Sequence, residues 1–559
     1  MFRRRIRHLQ RYREIVIAFS RNGFGFLVKE LGLHKLVSIP KRLITNTREE
    51  VHTLTIGERI RKFLEDMGPS FIKLGQIAST RRDLIPEDII RELEKLQEDV
   101  PPFSYEEVEE IIGRELNASI HDLFLEFDEI PLAAASIGQV HRAVLYSGQE
   151  VAVKVQRPDI QQNVQTDLEI LHHLAKLAEH RMKWAARYHV TDIVQEFSDS
   201  LLAELDYTRE GRNAHKIAHQ FRKDTKVRIP AVYWEYTTEK VLTMEYLEGT
   251  KLDEVENLMS GGFTPKLLAE RLVHSVLHQI LMEGFFHADP HPGNVKARGD
   301  NTVVLIDFGM VGRLTPEMKD NFSALIVAMM RQENDAIIKA IYRMGLVPDD
   351  IDIRKLRLDV DRLKEKYYDV PFSQVSIGEA VNDLFSVASK HRIEIPADLS
   401  LVGKTLLTLE GTVERLDPDI SIVKIAEPFG RKLLKERLHP KRVAGDVYHQ
   451  LDDYKDIVAD FPEHIEELYA IIRKRKVPVE ISFSKVEGFL KRLIQISNRL
   501  SFSIVLLSFS IIMAGLIIGS SIGGQSTYIW NLPVIEIGFV VAILMFIWLI
   551  YSIFKSGRF

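Results

Sequence analysis

No charged residue occurs between Leu500 and Pro533, and inside that interval Phe502 to Ile522 is nearly continuously apolar. A second run, Ile537 to Phe554, follows Glu536 and is similarly apolar. Each has the ~20 residues that a helix needs to cross the hydrocarbon core of a bilayer. The short link from Gly523 to Pro533 carries Tyr528 and Trp530, side chains suited to the headgroup region. Lys485, Lys491, Arg492 and Arg499 precede the first run, and Lys555 and Arg558 follow the second. Basic residues outside both runs predict a hairpin of two transmembrane helices with both ends in the cytoplasm, anchored in the inner or plasma membrane. A buried helical hairpin in a soluble core is the competing reading.

The chain has 559 residues, enough for two or three domains, and its 45% hydrophobic and 27% charged content is that of a folded protein. A formal net charge of −5 argues against bulk nucleic-acid binding. The absence of cysteine excludes disulfides, thiolate catalysis and cysteine-ligated metals. At the other end from the apolar runs, Met1 to Arg13 holds six arginines and no acid, and leads into an interrupted apolar stretch from Ile15 to Leu36. This predicts an amphipathic helix meeting anionic lipid, with an ordinary solvated helix as the alternative.

Ile56 to Leu96 is helical in pattern, punctuated by Gly68-Pro69 and by Pro86. It contains Lys73, Gly75 and Gln76 as K-x-G-Q, which a helix–helix contact at Gly75 would by itself explain. After Pro101-Pro102, Ser104 caps a helix, with Glu107 three residues on. Pro131 to Pro158 alternates as strands on both sides of Ser147-Gly148, a hairpin. The first strand follows Ala133-Ala134-Ala135-Ser136-Ile137-Gly138 and continues through Val140; the second presents Lys154 in V-A-V-K. Val164 to His180 and Thr191 to Phe221 read as long helices. The second contains Glu204-Leu205-Asp206, two carboxylates that do not share a helix face and so serve different partners. Strand-like patterning returns from Val227 to Gly249, ending in Thr243-Met244-Glu245-Tyr246-Leu247-Glu248-Gly249.

A helix from Thr264 to Gly284 then leads to the stretch from Phe286 to Gly309. There Asp289 is followed five residues later by Asn294, and Asp307-Phe308-Gly309 comes after an apolar run. In order and spacing these are parts of a protein kinase: a lysine for the α/β-phosphates, a hinge strand for adenine, an aspartate at the transferred phosphate, and an asparagine and an aspartate on Mg²⁺. Two features depart from an ordinary kinase. The phosphate-covering loop is alanine-rich where glycines would let backbone amides approach closely. After Gly309, Thr315-Pro316-Glu317 opens a helix almost at once, leaving no long activation segment to seat a peptide. His287 and His291 are read as holders of the loop rather than zinc ligands. Asp289 either accepts a proton or orients the reacting group.

K-x-G-Q at Lys73 to Gln76, AAASIGQV at Ala133 to Val140, ELD at Glu204 to Asp206, HADPHPGN at His287 to Asn294 and DFG at Asp307 together resemble the UbiB family of atypical protein-kinase-like proteins, over roughly Thr55 to Phe429. The resemblance implies an α+β, two-lobed kinase-like fold with a helical N-terminal extension lying over the active site. It implies that Lys73 pairs with the acidic groups, Glu204 first, and that Lys73, Gln76, Glu204 and Asp206 regulate access. Ala133, Ala134, Ala135, Ser136, Gly138, Val140, Lys154, Glu245 and Leu247 would bind nucleotide, with Glu204 and Glu196 the candidate partners of Lys154. Asn294 and Asp307 would hold Mg²⁺, and Asp289 and Lys154 would be catalytic. The expected cofactors are ATP and Mg²⁺. The implied role is ATP hydrolysis supporting isoprenoid quinone (ubiquinone-type) biosynthesis or lipid handling at a membrane. Anionic lipid, quinone precursors or a quinone-biosynthesis complex are the expected partners, with no nucleic acid; a homodimer is left open. A protein or small-molecule kinase, and a nucleotide-sensing scaffold or lipid chaperone with little turnover, are the rival readings. The corresponding domains are a basic arm (1–50), the extension (51–128), two lobes (129–249 and 250–432), an amphipathic linker (433–499) and the two transmembrane helices (500–556).

Overall fold

A computed structural model describes residues 2–33, 53–79, 81, 85–96, 100–187, 189–331, 333–344, 351–368, 376–393 and 395–437, with scattered positions between 500 and 547. The chain divides into two units, Met1–Ala444 and Gly445–Phe559.

The first unit is a mixed α+β, kinase-like fold with a helical N-terminal region. Its described strands are β1 (Phe124–Phe127), β2 (Ala133–Ala134), β3 (Gly138–Leu145), β4 (Glu150–Gln156), β5 (Val227–Arg228), β6 (Val241–Glu245), β7 (Thr250–Lys251), β8 (Phe285–His287), β9 (Val295–Arg298), β10 (Thr302–Leu305) and β11 (Val311–Arg313). An antiparallel sheet runs β1-β3-β4-β6, with β2 added to β3. β4 alternates as a half-buried strand should: Val151, Val153 and Val155 are fully buried on one face. A second sheet has the order β5-β10-β9-β7, and β8 pairs with β11. Around these lies a core drawn from the helices Pro265–Leu277 and Ala397–Leu416, with Phe286, Phe308 and Val303 among its fully buried members. The expected capping boxes are present, Ser104 with Glu107 and also Thr55 with Glu58.

The N-terminal helix Phe2–Phe19 uses its apolar face inside the protein. Ile15 and Val16 are fully buried against Phe63, Leu64, Met67 and Phe71 of the helices Ile56–Met67 and Pro69–Ala78, with Ile170 and Leu174 of the helix Ile160–Arg181. Arg11 donates to Asp167 at 2.6 and 3.1 Å and to the Met67 carbonyl at 2.8 Å. The amphipathic pattern was expected to meet lipid; from Tyr12 onward its apolar side instead joins a protein core, because the same period serves either surface.

In the second unit, the described positions within the two apolar runs are helical. Ile504, Leu507, Ile511 and Ile518 in the first, and Val540, Leu544 and Ile547 in the second, expose their side chains. Most of the expected hairpin and of the linker 433–499 lies outside the described residues. Among the described residues no helix is long and apolar enough to cross a membrane.

Candidate active site

Because β4 buries its valines on one face, Lys154 points to the other, opposite Val140 of β3 and Leu242 of β6. Its ammonium donates to Glu210 at 2.8 and 3.1 Å and lies 4.0 Å from Asp307. Glu210 belongs to the helix Tyr207–Gln220, whose buried stripe is Tyr207, Glu210, Gly211, Ala214 and Ile217. Neither glutamate expected beside Lys154 is there. Glu196 pairs with Arg81, and Glu204 pairs with Lys73 at 3.0 Å. The sequence did carry a signal for Glu210: a carboxylate inside an otherwise apolar helical stripe needs a buried partner. Burial works against the Lys154 charge, but Glu210 and Asp307 outweigh it and hold its pKa well above the ordinary lysine value. Burial pushes Glu210 up, and Lys154 offsets part of that.

The catalytic loop leaves β8 at His287. The amide of His287 donates to Gln279 at 2.9 Å and Ala288 N–H to the Met310 carbonyl at 3.0 Å, so the loop is held from both sides. His291 Nδ1 accepts the Gly293 amide at 3.2 Å. Asn294 Nδ2 donates to Asp289 Oδ2 at 3.1 Å, and the Ile306 amide donates to the Asn294 carbonyl at 3.1 Å. The β9–β10 hairpin thereby brings Asp307 beside Asn294. Asp307 accepts the Gly309 amide at 2.9 Å. Burial acts to raise the Asp307 carboxyl, but Lys154, the Gly309 amide and Lys73 overcome it and hold it below the usual carboxylate range. An ionised carboxylate and an amide oxygen are hard oxygen donors, and Mg²⁺ is commonly held by one or two protein oxygens plus substrate phosphates and water. Asp307 and Asn294 fit that ion.

The alanine-rich loop is built as strand rather than as an open glycine turn. Ala133 and Ala134 pair with Val140 and Gln139, and the Ala135 amide donates to the Gly138 carbonyl at 2.8 Å. Ser136 is fully buried. A methyl at Gly138 would stand 2.4 Å from both the Val155 carbonyl and the Tyr207 hydroxyl, so only glycine fits there. The segment Pro101–Phe103 is latched onto this loop. Phe103 N–H donates to buried Gln139 at 2.9 Å, and Arg157 donates to the Pro101 and Ala135 carbonyls at 2.9 and 3.3 Å.

On the far side of the site the helix Pro69–Ala78 brings Lys73 to Glu204. Gly75 lets this helix pack closely within the extension, since a methyl there would lie 2.4 Å from Leu96 Cδ1 and 2.7 Å from Leu64 Cδ1. Gln76 donates to the Leu96 carbonyl at 3.2 Å and serves the packing of the extension. Asp206 caps the helix Tyr207–Gln220 through the Thr208 amide at 3.0 Å, so the two carboxylates do serve different partners. Between these parts is a cavity of about 340 Å³, lined by Ile77, Glu204, Glu210, Gly309 and Leu401 among others. Glu245 is turned to Arg228 at 2.9 and 3.0 Å and its amide to the Ala231 carbonyl, so its side chain serves strand packing. Leu247 is buried, and its N–H donates no hydrogen bond among the described residues.

The chain matches the model of the ABC1 atypical kinase-like domain over residues 95–341, the UbiB helical domain over 360–421 and the ABC1/UbiB kinase-like C-terminal domain over 484–555. It is 36% identical over 398 residues to an Azotobacter vinelandii protein named probable protein kinase UbiB, covering 70% of this chain and 74% of that one. A Clostridium pasteurianum protein from the 5′ region of hydrogenase 1 is 31% identical over 551 residues, covering 98% of this chain and 99% of the relative. Among solved structures, a Mycobacterium tuberculosis protein in complex with erythromycin is 24% identical, with a TM-score of 0.46 over 64% of this chain and 90% of that one. With those motif matches and relatives, the chain belongs to the ABC1/UbiB family of atypical kinase-like proteins.

Proposed function

We propose that this protein is a membrane-anchored, Mg²⁺-dependent ATPase of the atypical kinase type that supports isoprenoid quinone (ubiquinone-type) biosynthesis or lipid handling, with its kinase-like part on the cytoplasmic side of the inner or plasma membrane. The observation that carries this reading is the Lys73–Glu204 ion pair at 3.0 Å, set beside an intact Lys154–Glu210 pair. The extension stands where an ordinary kinase would seat a polypeptide, while the groups that handle phosphate are all retained. Lys154 would hold the α/β-phosphates, Leu247 would offer its amide to adenine, and Asp289 would orient the attacking oxygen. Asp307 and Asn294 would hold Mg²⁺, which when bound neutralises charge on the β- and γ-oxygens. The short link from Gly309 to Pro316 leaves no peptide platform and favours water, or a small hydroxyl carried by a lipid-soluble phenol, as the acceptor.

The test is phosphate release by the purified full chain, with and without anionic liposomes and quinone-like phenols, beside Asp307→Asn. Release that rises with liposomes and is lost in the variant is expected. Equal release by the two proteins would sink the ATPase reading, and labelled phosphate appearing on a phenol or protein would turn it into a kinase.

A further inference from the structure

The helix Ala397–Leu416 lies against the catalytic loop at two fully buried threonines. Thr405 Oγ1 stands 3.1 Å from the Ala288 carbonyl, and Thr412 Oγ1 stands 3.1 Å from that of Pro290. One turn before Thr405, Leu401 lines the cavity that Glu204, Glu210 and Gly309 also line. Lys404, three residues after Leu401 and next to Thr405, therefore sits where the helix passes from the cavity to the loop that carries Asp289. Lys404 is partly buried and makes no hydrogen bond or ion pair among the described residues. Burial lowers the Lys404 pKa, Lys73 adds to that, and the carboxylates of Asp289, Glu94 and Glu204 oppose it.

Of the other cations around the cavity, Arg81 is bound to Glu196, and Arg209 lines it from an exposed position on the helix Tyr207–Gln220. Lys154 is bound to Glu210 and Lys73 to Glu204. The loop from His287 to Asn294 contains no lysine or arginine, and the ring of His291 accepts a backbone amide. Transfer of a phosphoryl group spreads negative charge over three equatorial oxygens, and catalysis is largely the supply of fixed positive charge to them.

We propose that Lys404 is a further catalytic residue, the cation that contacts the γ-phosphoryl group of ATP as its bond to the leaving oxygen breaks. This rests on the ATPase reading above. The water oxygen forms the new bond to the γ-phosphorus, the bridge to the β-phosphate breaks, and ADP leaves with the electron pair. The water proton passes to Asp289, and Lys404 keeps its own proton throughout.

The experiment compares the full chain in anionic phospholipid vesicles with Lys404→Met and Lys404→Arg. It measures phosphate release and, separately, Mg²⁺-dependent binding of a non-hydrolysable ATP analogue and of ADP. Lys404→Met is expected to lower kcat about 100-fold, the effect of removing one preorganised donor to a developing oxyanion. Its affinity for the ATP analogue should fall about tenfold relative to its affinity for ADP, which lacks the contacted group. Lys404→Arg should recover part of both losses. A kcat within threefold of the parent, or equal losses of analogue and ADP affinity, would overturn the proposal, the second outcome marking a structural lysine. If the parent itself releases no more phosphate than Asp307→Asn, the ATPase reading fails. The analogue-to-ADP ratio then decides the γ-phosphate contact by itself, an unchanged ratio ending it.

Discussion

Replacing Glu210 by glutamine keeps the shape of the side chain and removes the charge that holds Lys154. The ammonium now sits 2.8 Å from Glu210 and 4.0 Å from Asp307. Without the glutamate charge Lys154 should swing to Asp307 and occupy the carboxylate proposed to hold Mg²⁺. Truncating one member of a buried, hydrogen-bonded charge pair costs about 2–5 kcal/mol. Here the lysine side chain keeps 20% of its exposure and has a second carboxylate in reach, which places the loss at the low end. About 2 kcal/mol is roughly 30-fold in the Kd of a Mg²⁺-nucleotide. Calorimetric titration of the parent, Glu210→Gln, Lys154→Met and the double variant gives the coupling. The two single variants should lose similar affinity and the double no more than either, because the pair acts as one unit. Glu196→Gln, whose parent side chain pairs with Arg81, should bind within about twofold of the parent. Additive losses in the double variant, or a loss in Glu196→Gln equal to that in Glu210→Gln, would refute the assignment of Glu210.

Two glycine substitutions should differ in severity. Gly75→Ala meets the mobile methyl ends of Leu96 and Leu64 at 2.4 and 2.7 Å, and should cost about 1–3 kcal/mol by overpacking. Gly138→Ala meets the Val155 backbone carbonyl at 2.4 Å and should lower the thermal midpoint further, which parallel melting curves would check. Arg11→Ala removes the guanidinium from Asp167, itself only 3% exposed, and should speed proteolytic cleavage within residues 20–33 while leaving the cleavage pattern of the strands unchanged. His141 is buried, and its burial lowers the imidazole pKa. Its folded pKa then lies below the unfolded value, so the unfolded chain binds the proton first and stability falls as pH drops below about 6.5. His141→Asn should remove the share of one proton from that slope, at most about 1.4 kcal/mol per pH unit, between pH 7 and the depressed folded pKa. An identical slope in the variant would show that His141 does not titrate in that range.

What could be read from the sequence was whatever lies within one element or one turn. The alternation of β4 aims Lys154, the five-residue interval places Asn294 against Asp289, and Ser104 with Glu107 caps its helix. What escaped was the partner choice between distant elements. Glu196, Glu204 and Glu210 stand within a few turns of one another in the chain. Which of them meets Lys154 depends on how the helix Tyr207–Gln220 rotates against the sheet, and Asp206 starts that helix anew by capping it. The N-terminal helix likewise shows an apolar face whose period is the same for lipid and for protein.

The catalytic loop extends this point beyond the kinase-like match. Residues 95–341 contain the alanine loop, Lys154, Glu210, Asp289, Asn294 and Asp307. They contain neither Lys73, which holds Glu204, nor Thr405 and Thr412, which sit against the Ala288 and Pro290 carbonyls. Without the helix Ala397–Leu416 the two carbonyls that flank Asp289 would lose these hydroxyl partners, each worth about 0.5–1.5 kcal/mol net. A fragment limited to residues 95–341 would therefore lack the packing against the loop that carries Asp289. The extension and the helix Ala397–Leu416 are both built into the site, one through the Lys73–Glu204 pair and the other through its threonines against the Ala288 and Pro290 carbonyls.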